Sequence, residues 1–448
     1  MSSDFLKAQE LLKNISSTQS TYEINEALKT IKKHNEELFL QILNSLDIFT
    51  LANVATITPE YILEDILKYL SIIKIAQAVG ELESDDATDL IKRFEELNPQ
   101  KTIAILNRLS SEDKEEILRL KNYDENTAGA YMQTEIFTAS LDESIEKAIK
   151  RYRILKKSEK IDQIFQIYIT DQNGKLCNSI NLSDLLLWDF KLNFADIIKK
   201  DSNKYKSYSV KDLDDIQMAI DIVEDYDLSV LAVVNDEGIL LGRITYDDIH
   251  DLIQDNATEQ IYNLAGVDKE GEEEESTLKA AKARAFWLMI NLATSLISAN
   301  IISLFSGEIE QLVALAVLMP IVASMGGNTG SQALAVTVRK LSLNEVEFKD
   351  AKEVILRESG ISLLNGFIFA GVMGIITFIW FKTTMLGLVI ALSMLINLAL
   401  AGFIGSFVPL TLKKFKIDPA VGSSVVITAI TDALGFFSFL LLAKMILL

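Results

Sequence analysis

Apolar residues recur every three and four positions through the first 125 residues. Leu82, Leu90, Phe94 and Leu97 form one such set, and Ile103, Leu106, Leu109 and Ile117 another. This is the period of helices that bury one face. Ser84-Asp-Asp and Ser110-Ser-Glu-Asp read as N-caps, and Pro59 and Pro99 suit first turns of helices. Glycine is nearly absent, so the spacing predicts a stack of short helices. From Ala285 the pattern changes to five long apolar stretches, at about 285–305, 311–338, 359–381, 385–412 and 419–447. Each approaches or exceeds the roughly 20 apolar residues that a spanning helix needs. Pro320 lies inside the second and Pro409 near the end of the fourth. Pro419 suits the first turn of the fifth, where a missing amide hydrogen costs little.

Between these blocks lies a repeat. Ile167-Tyr-Ile-Thr-Asp-Gln-Asn-Gly174 through Asp184 aligns without gaps, 64 residues apart, with Leu231-Ala-Val-Val-Asn-Asp-Glu-Gly238 through Asp248. Each copy reads as strand, tight turn at Gly174 or Gly238, strand, then a helix capped by Ser183 or Thr245. An amphipathic helix precedes each, at Ser144–Leu155 and Asp214–Glu224. This order resembles a tandem CBS (cystathionine β-synthase) pair, a regulatory module that often binds adenosine nucleotides or ions.

Charge sharpens the division. The chain has 448 residues, with 43 Lys and Arg against 63 Asp and Glu, a net charge of −20. From Ala285 onward there are ten basic and nine acidic residues, so almost all the excess lies before it. An acidic soluble region is therefore joined to a charge-poor membrane region. A chain this acidic lacks the basic footprint of a nucleic-acid binder. Two histidines, His34 and His250, and one cysteine, Cys177, exclude a disulfide scaffold and a Cys/His zinc site. They also leave little material for His-based catalysis, so no enzyme is expected. Met1-Ser-Ser-Asp-Phe-Leu-Lys has no basic stretch leading into an apolar core, which predicts a cytoplasmic N-terminus. With that orientation, eleven Lys and Arg flank the spans inside and only Lys382 and Lys444 outside. The C-terminus is then outside, in a multi-pass protein of the cell membrane.

Polar residues inside the spans mark candidate function, because lipid disfavours them. The second span contains Met325-Gly-Gly-Asn-Thr-Gly-Ser-Gln332, and Asn300, Asn365 and Asn397 add one amide each to the first, third and fourth. In the fifth, Ser424, Thr428 and Asp432 are spaced four and four, so they share one helical face. Asp432 is the only acid deep inside an expected span. The glycines allow either close helix approach or a local break that exposes carbonyls. The available ligands are all oxygen, which suits hard divalent ions, and one carboxylate with several waters suits magnesium better than calcium. A proton-coupled carrier using the same carboxylate stays open.

A second acidic group surrounds the second repeat copy. Asp225 and Asp227 flank a turn. Asp248, Asp251, Asp255 and Glu259 follow at three, four and four on one face of a helix from about Tyr246 to Leu264, beside Asp247. Like charges at this spacing weaken a helix unless solvent or bridging cations relieve them. The helix leads directly to the first span, and a cation sensor there would be well placed to act on it.

These residues carry a resemblance to the MgtE family of magnesium channels or transporters. The most specific pieces are Pro320-Ile-Val-Ala-Ser-Met-Gly-Gly-Asn-Thr-Gly-Ser-Gln332, Leu364-Asn-Gly366, and Asp418-Pro-Ala420 followed by Thr428-Ala-Ile-Thr-Asp432. The resemblance implies a multidomain membrane protein. Its parts are an all-α cytoplasmic N-terminal domain (1–130), an α+β CBS pair (131–198 and 199–256), a connecting (plug) helix and linker (246–272), and a five-helix transmembrane domain (273–448). It implies magnesium uptake by a homodimer with its pore on the two-fold axis in the lipid bilayer. Asp432, Ser424, Thr428, Gly326, Gly327 and Asn328 would line the ion path. Asp225, Asp227, Asp247, Asp248, Asp251, Asp255, Glu259 and Asp418 fall where cytosolic magnesium sensors are expected, with Asp85, Asp86 and Asp89 as the helical domain's candidates. Magnesium bridging these acids would press the plug helix onto the pore, and the CBS pair would be the place for ATP or another adenosine nucleotide. The alternative within the same chemistry is an exchanger of divalent cations for sodium or protons.

Overall fold

The computed structural model describes residues 3–13, 15, 19–158, 164–201, 203–267, 277–343, 345–346 and 348–448. The chain divides into two compact units, Met1–Ile253 and Gln254–Leu448. The first begins with a helical stack from α1 (Ser3–Lys13) to α9 (Ser111–Leu120), among them α7 (Ser84–Leu97) and α8 (Pro99–Leu106). The short helices are bounded by their caps. Asn35, Asp47, Ser71, Asn98 and Ser110 each accept the backbone amide three residues on, and Ser20 forms a reciprocal capping box with Glu23. Their apolar stripes meet in one core that includes Leu28, Phe39, Leu63, Ile91 and Phe94. Ser84 departs from the expected role. It is the first residue of α7 rather than its cap, because its hydroxyl accepts from Thr134 N and donates to Glu135.

The repeat folds as two three-stranded sheets. β1 (Thr138–Ser140), β2 (Gln166–Thr170) and β3 (Leu176–Asn181) form one. β4 (Ser209–Lys211), β5 (Val230–Val234) and β6 (Leu240–Thr245) form the other. In each, the first pair is parallel and the second antiparallel, with Ile167 opposite Ile180 and Leu231 opposite Ile244. The 64-residue offset read in the sequence is thus a structural register. Gly174 and Gly238 take φ of 80° and 81° in the hairpin turns, a conformation that a side chain disfavours. The two turns pair with each other through Leu176 N to Gly238 O and Leu240 N to Gly174 O. α10 (Ile145–Lys157) and α12 (Ile216–Asp225) precede the hairpins, capped by Ser144 and Asp215. After β3 the chain forms a 3-10 stretch, Leu182–Leu187, headed by Asn181 rather than a helix capped by Ser183; α11 (Phe194–Lys200) follows. After β6 it runs directly into α13 (Tyr246–Ala265), and Thr245 donates its hydroxyl to Asp248. The expected linker beyond residue 267 lies outside the described residues up to 276.

The second unit contains the end of α13, then α14 (Thr277–Ser303), α15 (Ser306–Gln311), α16 (Ala314–Ser342), α17 (Ala351–Phe381), α18 (Thr384–Lys414) and α19 (Ser423–Leu447). Among the described residues, four helices are long and apolar enough to cross a membrane: α14, α17, α18 and α19. α16 is comparably long at 29 residues and carries the polar glycine run. α17 begins earlier than the apolar stretch suggests, so Glu358 lies within it, and that side chain is 6% exposed. It is a buried acid in the helical unit. The fifth helix starts at Ser423 rather than near Pro419. Asp418 accepts the Ala420 amide in a turn, and Gly422 is left-handed at φ 64°. Leu315, Leu318, Val389, Ile390, Phe439 and Leu440 form the core where α16, α18 and α19 pack.

Candidate ion pathway and acidic crevice

The hydroxyls of α19 divide between two faces. Ser423 and Thr431 are buried against the bundle and return their hydrogens to carbonyls of their own chain, at Pro419 and Ile427. Ser424, Thr428 and Asp432 lie on an adjacent, more open side, with Thr428 exposed and the other two half-buried. Among the described residues Asp432 has no hydrogen bond or ion pair, so the helix presents a polar stripe ending in an unpaired carboxylate. The glycine run of α16 is continuous helix, and it serves close approach rather than a break. A Cβ on Gly330 would meet Ile427 at 2.5 Å, and one on Gly405 of α18 would meet the Gly330 carbonyl at 2.5 Å. Gly327 has nothing within 4 Å of that position, and Asn328 is exposed. No described hydrogen bond joins Asp432 to Gly326, Gly327 or Asn328.

Asn397 of α18, one of the span amides noted in the sequence, has partners that the sequence did not indicate. It is fully buried, and its Nδ2 donates to Val322 O at 2.8 Å. It is wedged between Gly326 of α16 and Gly435 of α19, either of which would collide with it if given a Cβ. Its Oδ1 finds no described partner. Three helices therefore meet around one amide, one helical turn from Asp432.

In the first unit a long-range acidic crevice forms where α7 meets the second CBS copy. Asp85 is 8% exposed and its Oδ1 has no hydrogen-bond partner among the described residues. Burial, with Asp248 and Asp86 adding repulsion, holds its carboxyl well above the usual range. Burial pushes Asp248 up to about 6 despite the Thr245 hydroxyl. Lost solvent also raises Asp86, aided by Asp89 and Asp247, and raises Glu135. The crevice is anchored by Arg243, 3% exposed, which donates to Gln133 Oε1 at 3.2 Å and pairs with Glu83 at 3.6 Å. Gln133 and Arg243 also exchange backbone hydrogen bonds, and Gly242 leaves room for the Gln133 carbonyl.

Of the sensor candidates, Asp85, Asp86, Asp247 and Asp248 are brought together. Of these four, Asp85 is buried and Asp248 half-buried, while Asp86 and Asp247 sit at the exposed rim; Asp225, Asp227, Asp251, Asp255 and Glu259 are exposed, Asp89 pairs with Lys92 at 2.9 Å, and Asp418 accepts from Asn263. No group of three or more His, Cys, Asp or Glu side chains among the described residues converges into a ready ligand cage. The crevice is instead a set of crowded carboxylates with an orphaned oxygen, a donor set that fits a hydrated hard cation.

An acid whose pKa is higher with the crevice closed holds more protons in that state. Closure is therefore favoured below the usual carboxyl range and weakens as pH rises through about 6. In magnesium-free solution, lowering pH from about 7.5 to about 5.5 should increase protease protection of residues 121–137, which connect α9 to β1. Falling protection on acidification would contradict the crowding.

A separate cleft of about 230 Å³ opens between the CBS copies, lined by Asn181, Asp184, Lys204, Lys206 and Tyr208. Lys204 pairs with Asp184 at 3.0 Å, and Tyr208 packs on Tyr226.

These features define a multi-pass membrane protein in which an acidic helical domain and a CBS pair precede a helical bundle with a carboxylate on an open polar stripe. A family model described as a divalent cation transporter, MgtE, matches residues 319–442; the MgtE intracellular N domain matches 20–126, and CBS domains match 128–190 and 203–255. Magnesium transporter MgtE of Enterococcus faecalis is 32% identical over 335 residues, covering 75% of this chain and 72% of that protein. Those of Thermus thermophilus and Bacillus subtilis are 28% and 27% identical, covering 81% and 89% of this chain and 79% and 91% of the relatives. The chain belongs to the MgtE family.

Proposed function

We propose that this protein carries magnesium into the cell through a pore shared by two copies of the chain, and that cytosolic magnesium closes it. The observation that supports this most directly is the stripe of Ser424, Thr428 and Asp432, two hydroxyls and a carboxylate without a described partner on a face that the chain covers only in part. A second α19 against that face would bring two carboxylates to one axis, which suits a divalent ion that keeps most of its water. The CBS pair and α7 would act as the sensor. Magnesium between Asp85, Asp86, Asp247 and Asp248 would relieve their repulsion, and Asp225, Asp227, Asp251, Asp255, Glu259 and Asp89 would meet further ions on facing acidic surfaces. A ligand shifts such an equilibrium only by its difference in affinity between the states. The N-terminus would lie inside and the C-terminus outside. The cleft bearing Asp184, Lys204 and Lys206 would hold an adenosine nucleotide, the lysines meeting phosphate and Asp184 the ribose hydroxyls.

The test is flux in liposomes containing the full chain. Magnesium entry should follow the membrane potential alone and fall as magnesium is raised on the cytosolic side. A requirement for an opposing sodium or proton gradient would replace the channel with an exchanger working through the same Asp432.

A further inference from the structure

We infer that Asn263 and Trp287 are positioning residues that seat the end of α13 on the ends of α16 and α19 without any bound ion. The inference rests on the reading of those helices as the ion path. α13 finishes with Gly266 left-handed at φ 69°, with Val267 N bonded to Tyr262 O at 2.9 Å and Gly266 N to Asn263 O at 3.1 Å. This closing turn fixes the direction in which Asn263 and Leu264 project.

Three contacts then converge on the segment between α18 and α19. Asn263 Nδ2 donates to Asp418 Oδ2 at 2.8 Å, while Asp418 Oδ1 accepts the Ala420 amide at 2.9 Å. Each carboxylate oxygen thereby accepts one hydrogen bond from the chain. Leu264 packs on a cluster of Leu334 and Val338 from α16, Ile404 from α18, and Ala420 and Ile427 beside and within α19. Trp287 of α14 lies against both left-handed glycines. A Cβ on Gly422 would meet its ring at 2.9 Å, and one on Gly266 would meet it at 4.0 Å. Trp287 thus bridges the exit of α13 and the entry of α19, two residues before Ser424.

The charge at position 263 decides what kind of contact this is. An aspartate there would face Asp418 and need a cation between them. The amide supplies a neutral donor, so its contact with Asp418 forms as a hydrogen bond and needs no ion to bridge it, which gives Asp418 the part of a latch acceptor. Part of the closing free energy is then present in the absence of magnesium.

The test uses the full chain in liposomes, reading the cytosolic magnesium concentration that halves the flux. Loss of a hydrogen bond to a charged group in Asn263→Ala, or of the packing in Trp287→Ala, should raise that midpoint by about tenfold. Flux at low magnesium should stay intact. Asn263→Asp should shift it further and steepen the magnesium dependence, because closure then needs an ion at Asp418. In a Cys177→Ser background, Asn263→Cys with Asp418→Cys should react with a short bifunctional thiol reagent without magnesium, and the linked protein should stay shut until reduced. Midpoints unchanged in both single variants, or no cross-link in folded protein, overturn the latch. A cross-link that forms in protein whose flux never responds to magnesium leaves the contact standing and overturns the gating reading instead.

Discussion

Asp432→Ala in the full chain is expected to reduce magnesium flux to the background of empty liposomes while the protein remains folded and membrane-inserted. The carboxylate has no described partner, so its removal breaks no internal ion pair and leaves no uncompensated charge behind. Truncating one member of a desolvated charged contact costs about 2–5 kcal/mol, which is about 30-fold or more in occupancy. With two copies of the residue proposed at one axis the loss is compounded. Asp432→Asn should fail nearly as completely, because it keeps the shape and loses the charge that a divalent ion needs. Thr428→Ala should cost much less, since a hydroxyl contributes through water rather than through charge. Substantial flux in Asp432→Ala would remove the stripe of α19 from the pathway and leave Glu358, a buried acid of the same unit, as a candidate in its place.

Local pattern made much of the architecture legible, and it did so where the physical cause is local. Three-and-four periodicity gave the helical stack, and the cap at Ser110 gave the start of one of its short pieces. The gapless 64-residue offset survives as matching register in the two sheets, because a hairpin turn and its flanking strands are set by nearby residues. Ser84 shows where this reasoning stops. Its sequence reads as a cap, yet its hydroxyl is taken by Thr134 and Glu135, fifty residues on. The same long-range packing creates the crevice, since Asp85 becomes costly only when α7 lies against β6 and Asp248. Asn397 was visible as an amide in an apolar stretch, but nothing near it pointed to Val322, Gly326 or Gly435. Asn263 gave no signal at all, because its partner Asp418 is 155 residues away. The early start of α17 was missed for a different reason. Charged residues from Lys352 to Glu358 hide a helix from a hydropathy reading even when the backbone favours it.

The paired glycines at 326 and 327 should give opposite outcomes to one identical substitution. Gly326→Ala places a methyl group inside the buried Asn397 amide, closer than real Cβ atoms come to any neighbour, with Asn397 Cγ also at 2.9 Å. Asn397 has no room to yield, since Gly435 confines its other side. Either α16 moves off α18 and α19, or the bond from Asn397 to Val322 O breaks within the bundle. Overpacking of this kind costs about 1–3 kcal/mol or more, and the lost buried hydrogen bond adds about 1–3 kcal/mol. Gly327→Ala meets nothing within 4 Å, and alanine is about 1 kcal/mol the better helix former. In detergent, Gly326→Ala should therefore lower the melting temperature of the membrane unit or prevent its recovery, while Gly327→Ala should match or exceed the parent. Equal stability of the two variants would mean that α16, α18 and α19 do not meet at Asn397. If Gly327→Ala is stable yet alters magnesium flux, the open side of α16 belongs to the ion path, because the fold itself gives that methyl group nothing to disturb.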